Sequence, residues 1–153
     1  MPEASSPAGL EDHLGYWLRL VSNAVSQSFA RRVEAEGVTV AEWVVLRALY
    51  GVEPMAPSQL AERMGMTKGA ISKLADRLVA KDLVERREAG GDGRRQSLAL
   101  RPQGHALVPR LAALADQNDA GSFEGLAPEE RRELERLLRK LAAAHHLTAA
   151  PTA

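Results

Sequence analysis

The residues best suited to chemistry lie between Pro57 and Leu78, in two short helical patterns joined by a tight turn. In the second pattern apolar residues recur at helical spacing, which leaves polar and basic side chains on the opposite face. Base edges in DNA are read by hydrogen-bonding side chains, whereas phosphates bind positive charge or backbone N–H groups. The outward face therefore predicts DNA contacts, with phosphates or the first bases assigned to Thr67, Lys68 and Gly69, and base edges to Ser72, Lys73 and Arg77.

The first helical pattern and the turn complete a helix-turn-helix motif. Leu60, Ala61 and Met64 fall on one face of the first helix. Gly65 follows where that helix must end and reverse, a position that favours a residue free to adopt positive φ. Thr67 is the predicted N-cap of the second helix. Two helices joined in this way predict a motif whose second helix enters a DNA groove.

An ordinary solvated helix face is the alternative explanation for these charges. Asp76 lies on the same face and is expected to orient Lys73 or Arg77 rather than to contact DNA. The presence of the complete motif favours the DNA-binding interpretation for the group.

Composition excludes several other classes of protein. The chain has 153 residues and no cysteine, which excludes disulfides, thiolate metal sites and cysteine-based sensing. Four scattered histidines do not predict a metal site, and no cofactor is expected. No apolar run approaches membrane-spanning length and no signal-peptide pattern is present, so we predict a cytoplasmic protein without a membrane partner.

Charge is unevenly distributed along a chain whose formal net charge is zero. Residues 56–101 carry ten Lys or Arg and six Asp or Glu, whereas the remainder carries ten basic and fourteen acidic residues. A basic middle segment between acidic flanks predicts one surface that meets phosphate.

The remaining patterns predict a mainly helical fold with a minor β component. A long helix is expected over residues 11–36, followed by a capping box at Thr39 and Glu42 and a helix that stops at Gly51. Strands are predicted at residues 83–87 and 96–100, and helices begin at Pro102 and Pro128. Pro109 should bend the first of these helices. The predicted organisation is a flexible tail at 1–10, a winged helix-turn-helix domain at 38–101, dimerisation helices at 11–36 and 102–146, and a flexible tail at 147–153.

Apolar stripes on the first and last helices exceed what one small winged domain can bury. Leu14, Leu18 and Val21 belong to the first stripe, and Leu137 and Leu141 to the last. For a chain of this length the economical partner is a second copy, so we predict a homodimer.

Several motifs are similar to those of the MarR-type transcriptional regulators. They are Pro57-Ser-Gln-Leu-Ala61, Lys68-Gly-Ala-Ile-Ser-Lys-Leu-Ala-Asp-Arg-Leu78, Leu83-Val-Glu-Arg86, Asp92-Gly-Arg94-Arg95 and Leu100-Arg-Pro-Gln-Gly104. The resemblance spans roughly residues 14–141. It implies a dimeric winged helix-turn-helix protein, often released from DNA by a small aromatic or phenolic ligand.

The resemblance also assigns roles in the predicted wing. Asp92 and Arg94 match a pair that braces the wing, and Arg94 at the tip, with Arg95 as a second candidate, is implied to enter the minor groove. The chain departs from the family pattern at Ala56 and Arg101, where a capping Ser or Thr is usual, and at Asp82, where Gly is usual. Asp tolerates the left-handed conformation better than most residues, so the turn should survive.

An effector pocket is expected where the dimerisation and DNA-binding parts of such proteins meet. His13, Trp17 and Trp43 are candidates to line it, and His105 is a weaker one. The alternative is that both tryptophans are core or interface residues.

These observations predict a homodimeric, sequence-specific DNA-binding transcriptional regulator, a repressor that binds a pseudo-palindromic operator and is released by a small aromatic ligand. The alternative is a winged-helix module that binds protein and has no DNA affinity. No nucleophile elbow, phosphate loop or zinc-protease motif is present, so no enzymatic activity is predicted.

Overall fold

The structure, a computed structural model, describes residues 5–88 and 96–152. A 3₁₀ turn at Leu10–Asp12 precedes the helices and strands, which are α1 (Leu14–Glu34), α2 (Val40–Leu49), α3 (Pro57–Met64), α4 (Lys68–Ala80), β1 (Val84–Glu88), β2 (Gln96–Leu100), α5 (Pro102–Ser122) and α6 (Pro128–Ala144). The prediction of a mainly helical winged helix-turn-helix fold with a small sheet is confirmed.

The sheet is an antiparallel pair extended by a single bridge. Val84 of β1 lies opposite Leu100 of β2, and Glu88 lies opposite Gln96. On the other edge of β2, Met55 exchanges backbone hydrogen bonds of 3.0 and 2.8 Å with Leu98. The segment before α3 is thereby tied to the base of the wing.

One aliphatic core joins the helix-turn-helix to the sheet. Most of its largest fully buried side chains come from α2, α3, α4 and β2, and these include Leu46, Leu60, Ile71, Leu78 and Leu98. The end of α1 and the first turns of α5 complete this core through Val33, Val108 and Leu111. Burial of these side chains holds the recognition motif against the two helices that frame it.

The first predicted helix is interrupted near its start. Residues 10–12 form the 3₁₀ turn, and His13 adopts an extended backbone with φ −103° and ψ 127° before α1 begins at Leu14. The Trp17 indole N–H donates to the carbonyl of Glu11 at 2.9 Å, which holds the turn against α1.

Two further predictions concerned helix-disturbing residues. Asp82 does adopt the left-handed conformation, with φ 58°, in the turn after α4. Helix α5 contains Pro109 and continues through it to Ser122, and the predicted bend at this proline stays a prediction.

Apolar side chains on α1 and α6 lie open to solvent in the single chain. Those exposed on the two helices are Leu14, Trp17, Leu18, Leu20, Val21, Leu137, Leu138 and Leu141. Only the C-terminal part of the α1 stripe, at Phe29 and Val33, packs against the core. The described residues therefore leave an apolar surface that one copy does not cover.

Candidate nucleic-acid interface

The turn between α3 and α4 has the geometry that its residues predict. Gly65 ends α3 in the left-handed region at φ 63° and ψ 32°. Thr67 is the N-cap of α4, and its Oγ1 accepts a hydrogen bond of 3.1 Å from the Ala70 N–H. The cap leaves other N–H groups of the first turn free to meet an anion.

Helix α4 presents the predicted DNA-contacting residues on one surface. Ile71, Leu74, Ala75 and Leu78 are buried on its inner face. The six residues assigned to DNA contacts in this helix and at its N-cap are all exposed, and they are Thr67, Lys68, Gly69, Ser72, Lys73 and Arg77. The structure thus brings together every predicted contact of the recognition helix, whereas the roles in DNA contact remain predictions.

The sequence predicts that Asp76 orients Lys73 or Arg77, but in the structure it pairs with a different residue. Its Oδ1 lies 2.7 Å from Nη2 of Arg86, on strand β1. Strand β1 follows the recognition helix directly, which brings the Arg86 guanidinium within reach of Asp76. The Asp76 carboxylate therefore pairs with a residue of the strand and not with one of its own helix. This ion pair ties the outer face of α4 to the wing.

The wing is described only at its base. Strand β1 extends to Glu88, and β2 begins at Gln96. Asp92, Arg94 and Arg95 lie outside the described residues, so the brace and the minor-groove contact remain predictions. At the base, Arg87 pairs with Glu85 at 2.7 Å.

The role of Lys81 was not predicted from the sequence. It is the C-cap of α4, and its Nζ lies 2.7 Å from Oε2 of Glu42 and 2.8 Å from the carbonyl oxygen of Gly37. The predicted capping box is correspondingly half formed: Thr39 Oγ1 accepts from the Glu42 N–H at 3.1 Å, whereas the Glu42 carboxylate turns to Lys81. Lys81 and Glu42 are 39 positions apart, so no local sequence pattern signals the pair.

A cavity of 380 Å³ lies where α1, α2 and α5 meet. Phe29 and Trp43 supply its aromatic wall; the other lining residues are Val25, Ser26, Val40, Val44, Ala115, Asn118, Asp119, Ala150 and Pro151. The size and apolar lining are those of a small-molecule site.

Asn118 is a buried polar residue in the lining of this cavity. It is 5% exposed, and its Nδ2 donates to the carbonyl of Val25 at 3.2 Å. That carbonyl can only accept, so the amide nitrogen must face it and Oδ1 must point elsewhere. Among the described residues Oδ1 has no hydrogen-bond partner, although buried acceptors are normally satisfied.

The three predicted pocket residues are not brought together within one chain. Trp43 lines the cavity. His13 and Trp17 lie at the other end of α1, where the His13 ring is 3.1 Å from the carbonyl of Gly9 and Trp17 is 47% exposed. Trp17 and Val25 are eight positions apart in α1, a rise of about 12 Å. Phe29 and Asn118 are pocket residues that the sequence alone did not single out.

Metal ions and membranes are two other kinds of partner that side chains can bind. Within residues 5–88 and 96–152, no group of three or more His, Asp or Glu side chains is placed to hold a metal ion. No helix in the same ranges is both long and apolar enough to cross a membrane.

An exposed polar recognition helix, braced by a small antiparallel sheet, defines a winged helix-turn-helix DNA-binding regulator. Comparison with known proteins agrees: residues 36–95 match the family model described as MarR family. An uncharacterized HTH-type transcriptional regulator of Bacillus cereus is 30% identical over 123 residues, which are 77% of this chain and 80% of the relative.

Solved structures extend the similarity over the whole fold. The HTH-type transcriptional repressor Rv2887 of Mycobacterium tuberculosis is 29% identical over 135 residues, covering 87% of this chain and 97% of that protein. Its structure in complex with p-aminosalicylic acid has a TM-score of 0.66, with 27% identity and coverage of 85% and 98%. Bordetella bronchiseptica BpsR, whose DNA binding is regulated by 6-hydroxynicotinic acid, has a TM-score of 0.75, with 26% identity and coverage of 90% and 98%.

The chain belongs to the MarR family of transcriptional regulators. Its family and fold are those of transcription regulators rather than of enzymes.

Proposed function

We propose that the protein is a homodimeric transcriptional repressor that binds a pseudo-palindromic operator and is released by a small aromatic ligand. The observation that carries the proposal is the recognition helix, whose six predicted contact residues, five of them polar or basic, are exposed together while its other face is buried. Such a protein acts on chromosomal DNA, and therefore in the cytoplasm.

Support for the dimer comes from the exposed apolar side chains of α1 and α6. Leu14, Leu18 and Val21 on α1 and Leu137 and Leu141 on α6 are each at least 40% exposed in the single chain. A second copy would remove these surfaces from water, at roughly 25 cal/mol for each Å² buried. Two recognition helices would then face half-sites about one helical turn, roughly 34 Å, apart.

Support for repression and for a ligand comes from two sources. Rv2887, which is named a repressor, has been solved with p-aminosalicylic acid, and 6-hydroxynicotinic acid regulates DNA binding by BpsR. Both ligands are aromatic acids, and a 380 Å³ cavity would accept a ring of that size, although its described lining offers no Lys or Arg to pair with a carboxylate. A ligand in this cavity would favour a dimer whose recognition helices do not match the operator, and so shift the population away from the DNA-binding state.

A DNA-binding measurement tests the proposal. Fluorescence anisotropy with the DNA upstream of the protein's own gene, and with a scrambled duplex, should show preferential binding that weakens steeply with salt, because bound phosphates release counterions. The protein-module alternative predicts no affinity for either duplex. Binding that ignores salt or sequence would contradict the proposal.

Two lysine variants separate phosphate contacts from base contacts. Lys68→Ala should weaken binding to both duplexes and reduce the salt slope by about one, the effect of losing one phosphate contact. Lys73→Ala should weaken operator binding more than scrambled binding, because it removes a base-edge contact. Lys140→Ala, at an exposed position on α6, is the matched control and should leave both affinities unchanged.

A further inference from the structure

The recognition helix is bonded to the elbow that joins α1 to α2, here defined as residues 35–39. The side chain of Lys81, the C-cap of α4, donates to the Gly37 carbonyl within the elbow at 2.8 Å. The same Nζ forms the 2.7 Å ion pair with Glu42, in the first turn of α2. One side chain therefore joins three elements: the end of α4, the elbow and the start of α2.

The burial of this ion pair makes it more than a surface contact. The Glu42 side chain is 2% exposed, whereas that of Lys81 is 39% exposed. A buried carboxylate needs a compensating cation, and Lys81 is the one that pairs with it among the residues that the structure describes. The contact therefore has a defined geometry rather than the loose one of an exposed pair.

No flexible joint separates Lys81 from the DNA-contacting residues. Its backbone N–H donates to the Arg77 carbonyl at 3.1 Å, so Lys81 continues the hydrogen bonding of α4. Lys73 is eight residues earlier in the same helix, about 12 Å along its axis. A rotation of the elbow is thus transmitted to the residues that face DNA as a movement of one rigid body.

We propose that Lys81 is a positioning residue that sets the angle between helix α1 and the recognition helix α4. Because α1 belongs to the proposed dimer interface, this angle sets the spacing of the two recognition helices in the dimer. This inference rests on the proposed function, since it requires a dimer that binds two half-sites. Lys81 acts through α4 and is not itself a DNA contact.

A second ion pair at the elbow provides a matched comparison. Arg110 of α5 lies 2.6 Å from Oε2 of Glu36, the residue before Gly37. It holds the elbow to α5 and not to the recognition helix, and its side chain is exposed. Loss of this pair removes a bond at the same elbow without releasing α4.

Operators of altered spacing test the inference. A duplex selected from a random library with the parent protein provides the reference operator. Derivatives with one base pair added or removed between the half-sites rotate them by roughly 34°, one step of a 10.5 bp turn. A duplex that carries one half-site completes the set, and anisotropy gives the dissociation constant for each.

Lys81→Met should lose roughly tenfold in affinity for the reference operator, a coupling of ordinary size between linked elements. Its affinity for the single half-site should remain that of the parent, and its preference for the reference spacing should be flattened. Lys81→Arg, which keeps the charge, should restore the spacing preference. Arg110→Met should retain it as well.

A double variant that removes the charges of both Lys81 and Glu42 distinguishes loss of positioning from failure to fold. Lys81→Met leaves the buried Glu42 carboxylate unpaired, whereas Lys81→Met with Glu42→Gln does not. The double variant should melt as a folded protein and still show the flattened spacing preference. A folded variant that keeps the parent's spacing preference overturns the role of Lys81. A parent that shows no preference among spacings overturns instead the proposed binding to two half-sites.

Discussion

The carboxylate of Asp76 on the recognition helix lies 2.7 Å from the guanidinium of Arg86 on the first strand of the wing. The recognition helix and the wing would contact different grooves of the same duplex. A bond between their outer faces therefore bears on how well the two can contact DNA at once.

Removal of this bond should reduce specificity more than stability. Asp76→Asn should lower the ratio of operator affinity to scrambled-duplex affinity by several fold. The loss of a negative charge strengthens sequence-independent attraction to phosphate, while the helix and wing lose their mutual orientation. Because both side chains are partly or largely exposed, the change in unfolding free energy should stay below about 1 kcal/mol.

Anisotropy titrations with the two duplexes at one salt concentration measure this ratio. Arg86→Gln and the double variant complete a double-mutant cycle, in which the effects on specificity should not add. Equal changes for operator and scrambled DNA would show that the pair has no part in discrimination.

Gly104 should be intolerant of any side chain. A Cβ built on it overlaps the carbonyl oxygen of Leu83, the same oxygen that accepts a 3.0 Å hydrogen bond from the Arg101 N–H. Helix α5 approaches the turn between α4 and β1 too closely for a methyl group. Gly104→Ala should cost about 1–3 kcal/mol of unfolding free energy, the range for overpacking a close contact.

Gly121 provides the control in the same helix, because a Cβ there meets nothing within 4 Å. Gly121→Ala should be neutral or should stabilise by up to about 1 kcal/mol through helix propensity. Urea denaturation of the two variants measures both effects. Similar midpoints for the two would contradict the close-approach explanation.

Two helices should gain stability from an N-cap that they lack. Ala56 and Ala127 precede α3 and α6 in the extended conformation of an N-cap, with no side-chain cap hydrogen bond. At each position the side chain three residues later, Gln59 or Glu130, already accepts from the cap N–H, so a Ser would complete a capping box.

Ala56→Ser and Ala127→Ser should each raise the unfolding free energy by about 0.5–1 kcal/mol. The sites are in different parts of the fold, so their effects should add in the double variant. Thermal melts followed by circular dichroism provide the measurement. A cap that is already satisfied by another group would leave the midpoint where it is in the parent.

The charge of the cavity should select among aromatic ligands. Its described lining contains one carboxylate, that of Asp119, which pairs with Arg131, and no Lys or Arg. A carboxylate ligand would lose its hydration there without gaining a cation. Benzamide and benzamidinium should therefore bind more tightly than benzoate, by roughly tenfold or 1.4 kcal/mol.

Trp43 lines the cavity, so its fluorescence in a Trp17→Phe background reports binding. Asn118→Leu, which removes the unpartnered Oδ1, should weaken benzamide and leave toluene unchanged. Tightest binding of benzoate would show that a cation reaches the site from elsewhere, and that the lining of one chain does not set the preference.

Local patterns in the sequence predicted the elements of the DNA-binding motif well. Strand Gln96–Leu100, the helix end at Gly65 and the left-handed Asp82 all follow from rules that act over a few residues. The exposed face of the recognition helix follows from apolar spacing alone. The partners of Asp76 and Glu42 could not be predicted in this way, because they are supplied by other elements after folding.

In the candidate pocket, too, some residues could be predicted from the sequence and others could not. Trp43 stood out as a rare residue type, whereas Asn118 and Phe29 acquire their roles only through the packing of α5 and α1. The side-chain types of His13 and Trp17 predict a place in the pocket. The 3₁₀ turn and the extended backbone of His13 instead place both residues at the N-terminal end of α1, away from the cavity. Their role as pocket residues stays a prediction.

The solvent-exposed leucines of α1 and α6 have a consequence for how operator occupancy depends on the number of protein copies. Under the proposed dimerisation, folding and assembly obey mass action, so the melting temperature should rise with protein concentration. At concentrations where the copies are mostly apart, operator occupancy would follow the square of the number of chains. A modest change in how many copies a cell makes would then produce a steep change in transcription.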